Sequence, residues 1–383
     1  MAGGESPSSR IRVGVVGANP NRGWGTSAHL PALAQLPEFE IAAVATTRKG
    51  SARETADRFG VPLAFDSPDG LVAHQDVDLV AVTVKVPSHA AVVRAALAAG
   101  KHVLSEWPLG VDLAEANALA QLARNAGTVH AVGLQGLHSA GARFVADLIA
   151  DGRIGELRSV GVIVSGGLGG SRIPQERVWA ASPAAGVSIL TITGGHVLAT
   201  LARTLGTPLE QLVAVVANLD PEPTVIETGE RIPSGTPDQI GVLGTLPGGA
   251  VVSITLQGGN PPAAAGFVLQ IVGTDGALTI TPAQPSGSIH IADWAIKLAS
   301  TVGEAQQLLV PDSYRSVPAA VPSGPPTNVA ALYREVAAAI SERRQPVPSF
   351  DTAVGYHGLL ATIEAAARTG TRQQFVAPPL LTS

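Results

Sequence analysis

Residues 11–33, "IRVGVVGANPNRGWGTSAHLPAL", join a short β-branched run to a glycine-rich turn and then to apolar residues at helical spacing. We predict a buried strand, a turn and a helix that Thr26 or Ser27 caps. This junction would point backbone N–H groups and the positive end of the helix dipole at one place, which suits a pyrophosphate. The glycines of this stretch are Gly14, Gly17, Gly23 and Gly25.

The glycine spacing departs from the G-x-G-x-x-G pattern of dinucleotide-binding turns. Counted from Gly17, Asn19 and Arg22 stand where glycines are expected. Asn tolerates the left-handed backbone conformation better than most residues, so we predict that Asn19 makes the turn in a lengthened loop. A plain glycine-rich surface turn is the alternative. The strand before the turn and the helix after it favour the dinucleotide site.

Strand-like and helix-like segments alternate through residue 135. This order predicts an α/β fold with a doubly wound parallel sheet and right-handed crossovers. The strand-like segments are "IRVGVVG", "EIAAVAT", "VDLVAVTV" and "KHVLS", and the helix-like ones are "SAHLPALAQL", "SARETADRF", "HAAVVRAALAAG" and "LAEANALAQLARNAG".

Composition excludes several classes of function. With 25 basic against 30 acidic residues, the chain offers no basic face for nucleic acid or an anionic membrane, and no apolar run looks long enough to span a bilayer. It has no cysteine, hence no disulfide and no thiol nucleophile, and its nine histidines show no metal-ligand spacing. We expect a cytoplasmic protein that binds a small molecule and no metal.

The end of the second predicted strand indicates the cofactor. A free ribose 2′-hydroxyl usually meets an acidic residue there, whereas this chain has Thr47, Arg48 and Lys49. Hydroxyls and positive charge suit a 2′-phosphate, so we predict NADP, with NAD as the alternative. Solvated loop charges would explain the same residues.

Lys85 follows another predicted strand, at the edge where doubly wound sheets bind ligands. Its segment, "AVTVKVPSH", otherwise has the composition of a core, so we expect a partly buried lysine that contacts cofactor or substrate. Anchoring a phosphate, ribose hydroxyl or carboxylate is favoured over proton transfer.

The second half contains strand-like runs separated by glycine, proline and polar turns, which predict an open, mostly antiparallel sheet with helices. We predict a flexible leader at 1–9, a dinucleotide-binding domain at 10–135 and a substrate and oligomerisation domain at 136–383. Helices within 328–370 are expected near the junction.

Six segments occur in the order and spacing of the glucose-fructose oxidoreductase and inositol dehydrogenase (Gfo/Idh/MocA) family, which the chain resembles along nearly its whole length. The nearest branch resembles that of the fungal galactose-pathway corepressor. The resemblance implies a Rossmann domain and a second domain whose sheet covers the nicotinamide and often forms the oligomer interface, as a homodimer or homotetramer. The segments are "GVVGANPNRGWG", "HLPAL", "VKVPSHAAVV", "AGKHVLSEWPLG", "GRIGELRSV" and "GGHVLATL".

Two polar positions of the family's catalytic motifs are apolar here. In the motif Glu-Lys-Pro, Glu106 and Pro108 match, but Trp107 replaces the lysine. In Asp-x-Gly-x-His, His196 matches, but Ile192 replaces the aspartate. We predict Trp107 as a stacking wall for the nicotinamide or a sugar, with a space-filling tryptophan as the alternative.

Further residues are predicted at the site. By family position Gln135 contacts ribose or substrate, and Glu106 and Pro108, which match the motif, are expected beside the cofactor. Trp24 is predicted at the cofactor, with a sugar site as the alternative. Trp179 and His196 are predicted at the substrate, although a lone aromatic residue is more often part of a core.

Three functions fit these observations. The first is an NADP-dependent oxidoreductase acting on a sugar, polyol or related carbonyl compound, with a proton relay from Lys85 or His196. The second is a redox-silent sensor that binds the dinucleotide and a partner, which the lost lysine favours. The third keeps the cofactor bound and uses transient oxidation for net hydrolysis or elimination.

Overall fold

A computed structural model of the chain describes residues 10–166, 168–285, 287–301 and 304–378. The predicted leader, 1–9, lies outside the described residues. The chain forms two compact units. The first contains residues up to Glu106 together with Gln121–Gly133 and Val317–Ser349, and the second contains Trp107–Ala120, Leu134–Ser316 and the residues from Phe350 onward.

The first unit is built on a six-stranded sheet in which every pairing is parallel. Its order, β3-β2-β1-β4-β5-β6, reverses direction beside β1, as in a doubly wound fold. This confirms the predicted parallel sheet. The strands are β1 (Ile11–Val16), β2 (Phe39–Ala45), β3 (Leu63–Phe65), β4 (Leu79–Val82), β5 (His102–Glu106) and β6 (His130–Gly133).

Nine α-helices occur in the described residues. They alternate with the strands in the first third of the chain, and α5 begins in the second unit and ends in the first. They are α1 (Leu30–Leu33), α2 (Lys49–Phe59), α3 (Pro68–Val72), α4 (His89–Ala98), α5 (Leu113–Ala126), α6 (Ala140–Ala150), α7 (Gly195–Leu205), α8 (Pro325–Glu342) and α9 (Phe350–Thr369).

The second unit has a nine-stranded sheet in the order β16-β15-β14-β13-β7-β12-β11-β9-β17. Its pairings are antiparallel except between β7 and β12, which confirms the mostly antiparallel prediction. Strands β8 (Arg172–Ile173) and β10 (Thr224–Val225) form a separate parallel pair. The nine are β7 (Leu157–Ser165), β9 (Gln211–Ala217), β11 (Gln239–Thr245), β12 (Val251–Gln257), β13 (Gly266–Gly273), β14 (Gly276–Pro282), β15 (Trp294–Ser300), β16 (Gln306–Leu308) and β17 (Gln373–Gln374).

The chain crosses between the two units several times. It passes into the second unit at Trp107, returns to the first for Gln121–Gly133, and enters the second again at Leu134, next to the predicted division between residues 135 and 136. It then returns to the first unit for Val317–Ser349. The reason is the apolar face of α8, whose Val329, Leu332 and Tyr333 are fully buried in the same core as α1 and β2. Helix α8 is therefore part of the first unit.

One segment differs from the expectation that no apolar run could span a bilayer. The helical stretch Pro183–Leu205 has the length and the hydropathy of a membrane span, with a mean hydropathy of 1.5. In the described structure, 72% of its most apolar 18-residue stretch is buried inside the protein, as in the core helix of a globular domain.

Candidate functional site

The turn after β1 is built around Gly17, whose φ is +104°. A Cβ at Gly17 would lie 2.7 Å from the Thr83 carbonyl oxygen, which is closer than real Cβ contacts come. A Cβ at Gly25 would lie 2.6 Å from the Thr83 hydroxyl oxygen. The backbone between these glycines thus runs close to the end of β4, at the carboxyl edge of the parallel sheet where such folds bind dinucleotides. We call the backbone from Gly17 to Gly25 the glycine cradle. Because these glycines have no side chain, the cradle leaves room for a pyrophosphate.

Asn19 does not have the backbone conformation that the sequence predicted. Asn19 was expected to adopt a left-handed conformation, but within the described chain Arg343 is the non-glycine residue with a positive φ. The reason is that Gly17 and Gly23 (φ +97°) hold the left-handed positions. Asn19 instead accepts a hydrogen bond from the Asn21 N–H at 3.1 Å through its side-chain oxygen. Gly14 is buried inside β1.

The first helical turn after the loop, Gly25–His29, has no side-chain cap. The predicted cap is therefore wrong. The hydroxyls of Thr26 and Ser27 instead donate hydrogen bonds to backbone carbonyls of the preceding loop. Thr26 Oγ1 donates to the Asn19 carbonyl at 2.5 Å, and Ser27 Oγ donates to the Gly23 carbonyl at 3.0 Å. Trp24 is half-buried against the core of the first unit, and in the described structure its indole nitrogen has no hydrogen-bond partner.

The loop between β2 and α2 presents the residues predicted to bind a 2′-phosphate. Thr46 Oγ1 and Ser51 Oγ each donate to the Arg48 carbonyl at 2.9 Å and fix the backbone of the turn. The side chains of Thr47, Arg48 and Lys49 are exposed. They are accessible to a ligand, and their contact with a cofactor stays a prediction.

Glu106, at the end of β5, belongs to a buried hydrogen-bond chain in the first unit. His29 Nε2 lies 2.8 Å from Glu106 Oε1, and His29 Nδ1 lies 2.8 Å from the Tyr333 hydroxyl. A neutral imidazole satisfies both contacts by donating from Nε2 and accepting at Nδ1. Burial, and then the charge of Glu106, raise the pKa of Tyr333 well above its usual value, so the hydroxyl keeps its proton. This chain ties β5 to the first helical turn and to α8.

Trp107 follows directly but packs inside the second unit. Its side chain is 4% exposed, and its indole N–H donates to the Thr191 carbonyl at 2.8 Å. The centroid of the His357 ring lies 4.7 Å from that of the Trp107 ring. A Cβ at Gly195 would lie 2.3 Å from the indole nitrogen of Trp107. Burial lowers the pKa of His357 to about 4. These contacts favour the space-filling interpretation, and the stacking wall stays a prediction. The peptide bond between Trp107 and Pro108 is cis.

Lys85 is exposed, which corrects the expectation of partial burial. The physical reason is that β4 ends at Val82, so Lys85 lies in the loop beyond the buried run. The same loop is fixed by His89, which is 1% exposed and whose Nε2 lies 3.0 Å from the Val84 carbonyl. Lys85 remains at the carboxyl edge of the sheet, and its role as an anchor stays a prediction.

His196, near the start of α7, is 7% exposed and stacks on His290. The ring centroids are 3.6 Å apart and the rings are within 5° of parallel. Burial, and then the neighbouring His290, lower the pKa of His196 well below its usual value. Burial lowers the pKa of His290 to about 3. Both imidazoles are therefore neutral near pH 7. His290 was missed by the sequence analysis, because no motif surrounds it.

Two other predicted residues lie in the second unit. Gln135 is fully buried in the helical turn Gln135–His138, and Trp179 is half-buried in the turn Gln175–Ala181. A pocket in this unit is bordered by Arg172, Arg177 and Asp220, among others. Of the described residues lining it, none is a predicted site residue.

Comparisons with known proteins agree with this arrangement. Residues 11–134 match an oxidoreductase family with an NAD-binding Rossmann fold, Gfo/Idh/MocA, and residues 142–282 match the C-terminal domain of Gal80p. The galactose/lactose metabolism regulatory protein GAL80 of Saccharomyces cerevisiae is 29% identical over 288 residues. That match covers 70% of this chain and 66% of the regulator, just under two thirds of its length.

Two further relatives are enzymes by name. The dehydrogenase aclE of Aspergillus oryzae is 31% identical over 294 residues, which are 74% of this chain and 79% of that protein. Levoglucosan dehydrogenase in complex with NADH and levoglucosan has a TM-score of 0.80 at 20% identity over 96% of this chain and 99% of that one, a likeness in fold. Since the aclE match and the two family models together cover most of the sequence, the chain belongs to the Gfo/Idh/MocA oxidoreductase family, in a Gal80-like branch, and has an NAD-binding Rossmann fold.

Proposed function

We propose that this protein is an NADP-dependent oxidoreductase that transfers hydride between the nicotinamide and a sugar, polyol or related carbonyl compound. The observation that carries the proposal is the glycine cradle at Gly17 and Gly25, which brings backbone within reach of a pyrophosphate at the carboxyl edge of the sheet. Relatives named as dehydrogenases, and the levoglucosan dehydrogenase complex with NADH, support it.

The cofactor and two side chains have separate roles. Bound nicotinamide dinucleotide supplies the acceptor or donor of hydride. In the oxidative direction His196, neutral near pH 7, takes the proton of the substrate hydroxyl while the carbon loses its hydrogen as hydride and becomes a carbonyl carbon. Lys85 is the proposed anchor for a ribose hydroxyl, phosphate or substrate oxygen. In the reductive direction the same proton returns from His196 to the new hydroxyl.

The first prediction concerns the cofactor. Arg48→Ala should weaken NADP binding by about tenfold and leave NAD binding nearly unchanged, since loss of one exposed charge-assisted phosphate contact is worth about 1.4 kcal/mol. Fluorescence titration of the purified protein with each dinucleotide measures the effect. Arg53→Ala is the matched control, because Arg53 lies on α2 but forms an ion pair with Asp57. Equal losses for NADP and NAD would show that Arg48 does not bind the 2′-phosphate.

The second prediction concerns turnover. Absorbance of the reduced nicotinamide should rise when the protein with oxidised NADP is offered a panel of sugars and polyols, and should fall when reduced NADP and ketones are offered. His196→Ala should lower the rate about 10²- to 10⁴-fold, as removal of a general acid–base group does. A rate that is unchanged in His196→Ala would contradict the proposed role.

A redox-silent regulator is the second candidate. Trp107 occupies the family's lysine position, and a galactose/lactose regulatory protein is among the relatives. This function predicts tight dinucleotide binding with no absorbance change for any substrate in the panel. The turnover experiment therefore separates the two candidates.

We further propose a homodimer or homotetramer formed through the nine-stranded sheet. Large apolar side chains are exposed on five of its strands, which is unusual for a surface that faces only water. A monomeric mass in solution would contradict this proposal. The exposed side chains are Ile163, Val213, Val215, Leu243, Val251, Val268 and Val272.

A further inference from the structure

We propose that His290 is the residue that positions His196, by holding its imidazole in a parallel stack. A role for His290 in catalysis rests on the proposed function, whereas its contact with the His196 ring rests on the geometry of the structure. His290 lies outside every motif that the sequence analysis identified, in the loop between β14 and β15.

Two helical neighbours of His196 offer its ring no polar contact. Ile192, at the aspartate position of the family motif, and Ala199 carry no polar side-chain atom. Thr200, four after it, donates its hydroxyl to the His196 carbonyl at 2.8 Å, so this hydroxyl holds the backbone. His196 Nδ1 is buried and has no hydrogen-bond partner in the described structure.

The stack supplies the missing constraint. Two imidazoles with centroids 3.6 Å apart and planes within 5° are in van der Waals contact over their whole faces, so the ring of His196 cannot tilt toward His290. The loop that carries His290 is itself fixed. Ile289 beside it is 1% exposed, and its carbonyl accepts the indole N–H of Trp294 at 3.1 Å.

Backbone packing keeps the two histidines together. A Cβ at Gly136 would lie 2.1 Å from the Thr200 hydroxyl oxygen and 3.0 Å from His290 Cβ. The absence of a side chain at Gly136 therefore lets the His290 loop approach α7. This close approach places His290 within reach of the His196 ring.

The contact also affects protonation. Burial lowers the pKa of His196, and His290 lowers it further when His290 itself carries a proton. Two imidazolium rings at this separation would repel strongly. The stack thus favours the neutral imidazole, which is the form that accepts a proton from an alcohol.

The test compares two substitutions in the full chain. His290→Ala removes the stack, whereas His290→Phe keeps a flat ring against His196. We expect His290→Ala to lower kcat on the order of tenfold with little change in KM, and His290→Phe to retain most of kcat. In His290→Ala the acidic limb of the kcat/KM profile should move to higher pH, because the pKa of His196 rises toward its ordinary value as water reaches the ring.

A second readout needs no turnover. In proton and carbon NMR with labelled histidine, the ring signals of His196 should shift and titrate at higher pH in His290→Ala and stay close to wild type in His290→Phe. His357, elsewhere in the second unit, serves as the internal control for an intact fold.

Failure of the positioning role of His290 can be distinguished from failure of the proposed function. Without turnover in any variant, the oxidoreductase proposal fails, and the NMR comparison alone decides the role of His290. An unchanged His196 signal and titration in His290→Ala would overturn the positioning role. Equal loss of kcat in the Ala and Phe variants would overturn it as well.

Discussion

Gly17→Ala is expected to destabilise the protein by about 2 to 4 kcal/mol and to weaken dinucleotide binding at least about tenfold. The φ of +104° disfavours any Cβ, and the new methyl group would lie 2.7 Å from the Thr83 carbonyl oxygen. Relief requires the loop to move away from β4, which opens the cradle. Urea unfolding and dinucleotide titration measure the two effects.

Thr83 provides the controls. At Gly25 the close atom is the Thr83 hydroxyl oxygen, 2.6 Å from where the new methyl group would lie, so Thr83→Ala should restore much of the stability that Gly25→Ala loses. At Gly17 the closest atom is the backbone carbonyl oxygen of residue 83, so Thr83→Ala should not rescue Gly17→Ala. Rescue of Gly17→Ala would contradict the proposed cause.

Gly23→Ala isolates the backbone effect. Its φ is +97°, but the nearest atom to a Cβ is the Gly17 carbonyl oxygen at 3.8 Å, which is ordinary contact. It should therefore cost about 1 kcal/mol, from conformation alone. If Gly17→Ala and Gly23→Ala cost the same, close approach to β4 is not what limits the turn.

The parallel sheet was predictable because each strand, turn and helix of this fold is encoded within about 30 residues. Residues 11–33 contain one complete unit, and the following segments repeat its pattern. Counting glycines, however, does not say which residue takes the positive φ. Gly17 and Gly23 do so, and Asn19 uses its side-chain oxygen instead. The pattern predicted the turn correctly, but it predicted the backbone conformation of Asn19 incorrectly.

The site was less predictable, because its contacts join residues far apart in sequence. Tyr333 and His29 are 304 positions apart, and the pattern of α8 showed an apolar face without showing which core it enters. Burial of Lys85 was overestimated because β4 ends at Val82, two residues before the end of the strand-like segment. His290 lies in a loop without a motif, so only the folded chain could identify it.

The apolar environment of Trp107 argues against simple restoration of a lysine. Trp107→Lys would place an ammonium group beside Gly195 and His357, in a site that now excludes water from an indole that is 4% exposed. Burying an unpaired charge there should cost several kcal/mol. We therefore expect Trp107→Lys to lose stability and to gain no dehydrogenase activity, since Ile192 still leaves His196 without a polar neighbour on that side.

Trp107→Ala should destabilise the protein by about 3 to 5 kcal/mol, because it opens a cavity in the core of the second unit and removes the donor to the Thr191 carbonyl. The half-buried Trp179 is the matched control, and Trp179→Ala should cost less. Gly195→Ala should be costly alone but tolerated in the Trp107→Ala background, since its methyl group would occupy space that the indole now fills. Urea unfolding of the four variants measures these terms, with dinucleotide titration alongside. If Trp107→Ala unfolds like wild type but binds dinucleotide weakly, the indole is a wall of the cofactor site, and its packing in the second unit is secondary to that contact.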